Sequence, residues 1–129
     1  LLLDEIGVVM PPHHPRMDID RPLEWRDLRN HRLINNGSVQ LLEGTSAAAC
    51  VAHAHLFVSN IISLIAMLRA GMGITTLPGL TLGPEHGDIV YAPLESPRIT
   101  REIGILQRTG QPLSPAAQSL AQHIRAACT

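Results

Sequence analysis

Residues 69–79 read RAGMGITTLPG, and the two glycines that flank Met72 decide how this part of the chain folds. A glycine-rich loop that binds a dinucleotide needs a strand before its glycines, a helix after them and a third glycine at a fixed spacing. Here the apolar run at 61–70 (IISLIAMLRA) predicts a helix before the glycines, and GITTL at 73–77 predicts a strand after them. The order is reversed, so Gly71 is predicted to cap the end of a helix.

The other end of that helix is the more favourable place for an anion. Ser59 and Asn60 are both good N-caps and follow a predicted strand at 55–58 (HLFV). Such a strand-to-helix junction offers unpaired backbone N–H groups, and ligands of open α/β sheets bind outside the carboxyl ends of strands. Two interpretations stay open: Ser59, Asn60 and Ile61 bind an anion, or Ser59 merely caps the helix. Apolar residues nearly surround the helix axis, so the helix is predicted to be buried.

Apolar runs and helical patterns alternate along the whole chain, which predicts an α/β fold. Further strands are predicted at 5–10, 32–35, 88–94 and 99–107, and weaker helices at 22–29 and 39–50. Gly44 is the soft point of the second of these helices. The last helix has Ser114 as its N-cap and Pro115 at its first position. It carries one apolar stripe that needs a partner surface: Ala116, Leu120, Ala121, Ile124 and Ala127.

Length and composition bound the class of protein. A chain of 129 residues with 45% apolar residues is one globular domain or part of one. Its longest apolar region, 61–68, is far shorter than the roughly 20 residues that span a bilayer, and the N-terminus does not resemble a signal peptide. Cys50 and Cys128 are distant in sequence, which favours reduced thiols in a cytoplasmic protein. The net charge of -1 argues against duplex DNA binding by this chain alone.

Catalytic and metal-binding patterns are weak. His53 and His55 would share one face of a strand, but no third ligand lies nearby in the sequence. His13 and His14 lie between prolines, in a loop that is predicted to be solvated. A Ser, His and Asp triad lacks the G-x-S-x-G motif that would support it. We therefore predict no catalytic residue, no metal site and no cofactor.

Several segments of the chain resemble, in order, the effector-binding domain of LysR-type transcriptional regulators. The most specific is LIAMLRAGMGITTLP at 64–78, where a helix is followed by G-x-G-I-x-x-L-P. Before it come a strand leading to HHP (3–15), PLEWRDL (22–28), RLI (32–34) and LFVSN (56–60). After it come IVYAPL (89–94), REIGILQR (101–108) and LSPAAQSLAQHIRA (113–126). The resemblance covers nearly the whole chain, although HHP by itself carries no weight.

The resemblance implies a type II periplasmic-binding-protein fold, in which two α/β subdomains are joined by two crossing strands and a small-molecule inducer binds in the cleft. It assigns residues 1–10 to the first crossover strand, 11–97 to the second subdomain, 98–108 to the second crossover strand and 109–129 to the terminal helix of the first subdomain. On this assignment the N-terminal winged helix-turn-helix and most of the first subdomain are absent from the chain.

The resemblance also implies a site. The segment of Ser59, Asn60 and Ile61 resembles the place where family members contact inducer carboxylates or sulfate. Further candidates are Asn36, Gly37 and Ser38, after a strand that ends at the same edge, and Thr100 and Arg101, which enter the second crossover. Arg101 has the alternative of pairing with a surface acid near Glu102, a contact that is worth little when exposed.

The predicted function follows from these assignments. The chain is predicted to sense a small molecule, expected to be anionic, and to be a dimerising binding module rather than an enzyme. DNA contact is expected only through the missing N-terminal domain. The alternative is a fragment of a solute-binding protein or of a bilobal enzyme of the same fold, since fold-level likeness cannot separate these.

Overall fold

The structure, a computed structural model, describes residues 1–12, 14 and 21–128. It has seven named strands in this part of the chain: β1 (Leu2–Met10), β2 (Leu23–Glu24), β3 (Ile34–Asn35), β4 (Leu56–Phe57), β5 (Thr75–Pro78), β6 (Val90–Glu95) and β7 (Thr100–Ile103). The α-helices are α1 (Ala47–Val51), α2 (Ile61–Arg69) and α3 (Pro115–Ala127). Short 3-10 helices span Trp25–Leu28, Gly37–Leu42, Gly79–Thr81 and Pro84–His86. Of the HHP stretch, His13 and Pro15 lie outside the described residues.

Strand β1 is the centre of the main sheet, whose order is β2-β6-β1-β5. The second half of β1 pairs antiparallel with β5 and β6, so that Val9 lies opposite both Thr75 and Tyr91. Its first half pairs antiparallel with β7, so that Asp4 lies opposite Arg101. The apolar run Ile6–Met10 is buried throughout, as expected for a strand that is covered on both faces.

A second pair of strands extends this arrangement. Strands β3 and β4 are parallel, with Ile34 opposite Leu56, and Leu33 forms a parallel bridge with Ile74 just before β5. Because β3, β4 and β5 run in the same direction, their carboxyl ends lie at one edge and their amino ends at the other. This polarity separates the two sites described below.

Two apolar clusters cover the two faces of the sheet. Alternate residues of β1 divide between them: Val8 and Met10 join the cluster around Trp25, and Val9 joins the cluster beneath α2. The Trp25 indole also donates from Nε1 to the carbonyl oxygen of Pro97 at 2.8 Å. Helix α2 on one face, and α1 with two of the 3-10 helices on the other, thus complete the α/β fold that the sequence predicts.

Two predictions about helices were wrong. Helix α2 is not buried all round: only Leu64, Ile65 and Leu68 are buried, and Ile62 is 79% exposed. The helix packs on the sheet by one face, and no described residue covers the rest of its apolar surface. The helix expected at 39–50 is divided in two, since Gly44 adopts a φ of +77° between the 3-10 helix and α1.

The G-x-G turn has the predicted role of ending α2. Gly71, with a φ of +74°, donates to the carbonyl of Leu68 at 3.0 Å, and Met72 donates to that of Met67 at 3.1 Å. These two bonds form a Schellman motif, which satisfies the last carbonyls of the helix. Gly73 serves a different purpose, because a Cβ at this position would lie 2.7 Å from the carbonyl oxygen of Arg32. The turn therefore closes a helix and lets the next strand approach β3.

Candidate functional site

The carboxyl ends of β3 and β4 bring two of the predicted site segments together. Val58 donates its N–H to the carbonyl of Asn35 at 2.8 Å, so the chain leaves both strands side by side. We call this region the exit edge and define it as residues 36–38 after β3, 59–61 after β4 and 79–80 after β5. It is the position at which open α/β sheets bind ligands.

The N-cap of α2 is Asn60 and not Ser59. The Asn60 Oδ1 accepts from the backbone N–H groups of Ile62 at 2.9 Å and of Ser63 at 3.1 Å. The Ser59 hydroxyl is exposed and has no hydrogen-bond partner within the described residues. The N–H of Ile61, at the first helical position, has no intrahelical acceptor. These groups and the Asn60 Nδ2 are therefore available as hydrogen-bond donors to a ligand.

Asn36 has a structural task at the same edge. Its side chain is buried, and its Oδ1 accepts from the N–H of Ser38 at 2.8 Å. Its Nδ2 donates to Thr75 Oγ1 at 2.8 Å and to the carbonyl of Thr76 at 3.0 Å, which ties the end of β3 to β5. Asn36 therefore positions the exposed Gly37 and the half-buried Ser38 rather than offering its own amide.

Thr100 and Arg101 lie on β7, opposite the first half of β1. Arg101 donates from Nε and Nη2 to one carboxylate oxygen of Asp4 at 3.2 and 3.0 Å. Asp4 is only 4% exposed, and its carboxylate also accepts from the N–H of Leu80 at 3.1 Å. Arg101 therefore pairs with an acid, but that acid is the buried Asp4 and not a surface residue near Glu102, as the alternative interpretation had it. Thr100 is exposed beside it.

Asp4 and Leu80 were missed by the sequence analysis. A usable signal for Asp4 was present, because it is an acid inside the apolar run LLLDEIGVVM, and a buried carboxylate requires a partner. No local pattern marked Leu80, whose backbone contact with Asp4 joins residues 76 positions apart. Nearby, burial and then the charges of Glu5 and Asp4 raise the pKa of Tyr91, whose hydroxyl donates to the carbonyl of Glu5 at 2.6 Å.

Solved structures with the same architecture include OxyR in its reduced form and an effector-binding domain in complex with a ligand. The reduced form of OxyR superposes with a TM-score of 0.70 at 28% identity, covering 98% of this chain and 61% of that one. The effector-binding domain of QuiR in complex with shikimate gives a TM-score of 0.70 at 16% identity, covering 99% and 63%. The fold is therefore the mixed α/β, periplasmic-binding-protein-like fold of LysR effector-binding domains.

All of residues 1–129 match the family described as the LysR substrate binding domain, and the chain belongs to that family. The transcriptional regulator OxyR of Escherichia coli is 39% identical over 74 residues, which are 56% of this chain and 24% of OxyR. The chain thus spans about a quarter of that relative's length. These matches confirm the resemblance. The chain is thus effector-binding domain sequence of the LysR type, and this family is non-enzymatic.

No helix in the described ranges is long and apolar enough to cross a membrane.

Proposed function

We propose that this domain binds a small organic anion at the exit edge and thereby controls a cytoplasmic, DNA-bound regulator. The observation that carries the proposal is the uncommitted set of donors at the start of α2: the Ser59 hydroxyl, the Asn60 Nδ2 and the Ile61 N–H. They stand at the positive end of a helix dipole, where anions are stabilised. The Gly37 backbone and Ser38, on the neighbouring strand exit, extend the donor set.

Arg101 contributes through Asp4 in this proposal. Its guanidinium is held by the Asp4 carboxylate, and its side chain keeps 36% exposure. The pair is tied to Leu80 and so fixes the third strand exit relative to β1 and β7. We assign Arg101 a positioning role and Thr100 the role of an exposed contact at the same end of the sheet.

The strand pairing supports a hinge at β1 and β7. The first half of β1 pairs with β7 and the second half with β5 and β6, so a single strand belongs to two sets of neighbours. We propose that residues 1–10 and 98–108 cross between two subdomains, with 11–97 as the second and 109–129 returning to the first. A ligand that binds a closed cleft better than an open one shifts the population of subdomain arrangements.

A thiol-based response is less well supported than ligand binding. Cys50 lies in the apolar cluster around Trp25 and is 6% exposed, and Cys128 is half-buried at the end of α3. Neither cysteine is in a disulfide, and a reactive thiol needs access to solvent. Replacing both, as Cys50→Ala and Cys128→Ser, is expected to leave the effector response intact.

The test of the exit edge uses Asn60→Asp in the intact regulator. Aspartate keeps the capping oxygen but replaces the amide donor with a negative charge, so α2 stays folded while anions are repelled. Screening small carboxylates, with shikimate as the first probe, by thermal shift should identify a ligand for the unaltered protein. Asn60→Asp should abolish that shift, and Asn60→Ser, which keeps a cap without the amide, should weaken it by about 1–2 kcal/mol.

The control for this test is Gln111→Ala, at an exposed position that belongs neither to the exit edge nor to the crossover strands. It should bind the ligand as the unaltered protein does. An equal thermal shift in Asn60→Asp would place the ligand elsewhere and leave Asn60 with its capping role alone.

We also propose that this chain, taken alone, self-associates through apolar surface that it cannot cover. Leu120 and Ile124 of α3 are 62% and 37% exposed, and Ala121 is the one residue of that helix that is buried. A cavity of about 850 Å³ is lined by Leu1, Leu2, Leu3, Ile103 and Leu106, with Glu102 and Gly104. Exposed apolar surface of this kind favours association, and light scattering at micromolar concentration should show species larger than 14.0 kDa. A stable monomer would contradict this part of the proposal.

A further inference from the structure

The amino ends of β3 and β4 border a second cavity, on the side of the sheet away from the exit edge. It has a volume of about 480 Å³ and is lined by Arg29, His31 and Arg32 around the start of β3 and by His53 and His55 before β4. We call it the basic pocket. None of the residues that line it is acidic. Five basic side chains from two separate segments therefore converge on one concave surface.

Arg29 and Arg32 differ from most arginines of this chain. Elsewhere in the described residues, five arginines pair with carboxylates: Arg21 with Asp27, Arg26 with Glu24, Arg69 with Asp88, Arg98 with Glu5 and Arg101 with Asp4. Neither Arg29 nor Arg32 has such a partner there, and both are exposed. Their two positive charges are uncompensated by any described residue at the mouth of a cavity, where an anion gains the most from them.

The histidines of the pocket are held by the fold. His53 lies 3.0 Å, through Nε2, from the carbonyl oxygen of His31, and because a carbonyl only accepts, that nitrogen carries a proton. The His31 ring in turn packs against the His14 ring, with centroids 5.4 Å apart. Contrary to the sequence prediction, His53 and His55 do not lie on a strand, and His14 is half-buried rather than solvated. In the described ranges, no three His, Cys, Asp or Glu residues are placed to hold a metal ion.

The rest of the lining is apolar, so the ligand should have an apolar part beside its charged group. Leu33 is buried at the floor, Ala54 is half-buried, and Leu56 and Met72 are each 41% exposed. Small-molecule sites combine an apolar lining with a few charged groups and have volumes of roughly 300–1,000 Å³. A flat polyanion would contact the arginines but leave this floor unfilled.

We propose that the basic pocket is a second ligand site, which takes an organic anion with a carboxylate or phosphate group and a small apolar body. Arg29 and Arg32 bind the charged group, the exposed imidazole of His55 contributes a donor, and Leu33 and Leu56 contact the apolar part. This site is independent of the exit edge, because the two lie at opposite ends of the same strands.

The experiment uses phenyl phosphate and benzoate as probes, with benzamide as the uncharged control, titrated calorimetrically into the intact regulator. At least one anion should bind and benzamide should not. The double variant R29Q/R32Q should weaken binding roughly tenfold or more, since charge-assisted hydrogen bonds are lost. His55→Glu, a second variant at an exposed residue, should also weaken binding of the anionic probes. Preference between the two probes assigns the phosphate or the carboxylate class.

Two controls keep the result specific. Arg108→Gln removes a positive charge from an exposed residue outside the pocket, and Asn60→Asp disables only the exit edge; both should bind the probes normally. Equal binding by R29Q/R32Q, loss of binding in Asn60→Asp, or no binding of either anion would overturn the proposal. So would displacement of the bound probe from the unaltered protein by non-specific duplex DNA, since the pocket would then contact a nucleic acid backbone.

Discussion

The two ends of the β3–β4 pair contrast sharply in how they are built. At the carboxyl end, the exit edge consists of backbone N–H groups, a helix start and short polar side chains, with Asn60 and Asn36 fixing its geometry. At the amino end, the basic pocket consists of long cationic side chains around an apolar floor. The same two-residue strands separate them. One site depends on the direction of the strands, and the other depends on which side chains the loops bring together.

Because they are built differently, the two sites should respond differently to mutation. Asn36 and Asn60 of the exit edge also hold the fold together, so removing their hydrogen bonds alters stability as well as binding. The arginines of the basic pocket are exposed and have no described carboxylate partner, so their replacement should alter binding alone. The following changes test that difference.

The largest effect on stability is expected for Arg101→Ala, beside the exit edge. This change leaves the Asp4 carboxylate buried without its cation, and we expect a loss of about 2–4 kcal/mol in the free energy of unfolding. Arg98→Ala is the matched control, since its pair with Glu5 is exposed, and it should cost less than about 1 kcal/mol. Urea denaturation of both variants measures the difference. Equal losses would show that the buried Asp4 pair contributes no more to the free energy of unfolding than the exposed Glu5 pair does.

Gly73→Ala should affect the basic pocket more than the exit edge. Its Cβ would meet the carbonyl oxygen of Arg32 at 2.7 Å, so β3 must shift at its amino end, at a cost of about 1–3 kcal/mol. We expect weaker binding of phenyl phosphate and unchanged binding at the exit edge. Gly87→Ala is the control, because Gly87 has a φ of -62° and a Cβ there would lie 3.5 Å from the carbonyl oxygen of Pro84, an ordinary contact. Equal effects on both ligands would mean that the two ends are not independent.

Asn60→Ala should destabilise α2 by about 1 kcal/mol, because two backbone N–H groups lose their acceptor. Ser59→Ala should leave stability unchanged, since the hydroxyl has no partner in the described residues. Thermal unfolding of the two variants separates capping from binding at adjacent positions. A destabilised Ser59→Ala would assign part of the capping to Ser59.

The smallest effect is expected at the far end of α2, where Arg69 pairs with Asp88. The hydrogen bond with Arg69 lowers the pKa of Asp88 below its usual 3.8. The stability from this pair is therefore present above pH 3.8 and is lost as the pH falls through the lower value of the folded state. Both side chains are exposed, so Arg69→Gln should flatten the acid limb of the stability curve only slightly. An unfolding series between pH 5 and pH 2 measures it.

The sequence located the exit edge because its signals are local. Ser59 and Asn60 precede an apolar helical run, and Gly71 follows it, so the helix and its direction could be assigned from neighbours in the chain. The assignment of the cap to Asn60 needed the structure, because both residues are competent caps. The exposure of one face of α2 could not be predicted from the sequence either, because an apolar pattern does not say how many faces of the helix other elements cover.

What the sequence by itself determined is the order of elements, the family and the edge at which a ligand is expected, because periodicity, caps and turn glycines act over a few residues. Only the tertiary structure decided that Asp4 pairs with Arg101, that Asn36 is buried in structural hydrogen bonds, and that Arg29 and Arg32 meet His53 and His55 around one cavity. These contacts join segments more than twenty residues apart, and their formation depends on sheet register and on packing. No local pattern encodes such distances, so the basic pocket becomes visible only when the strands are paired.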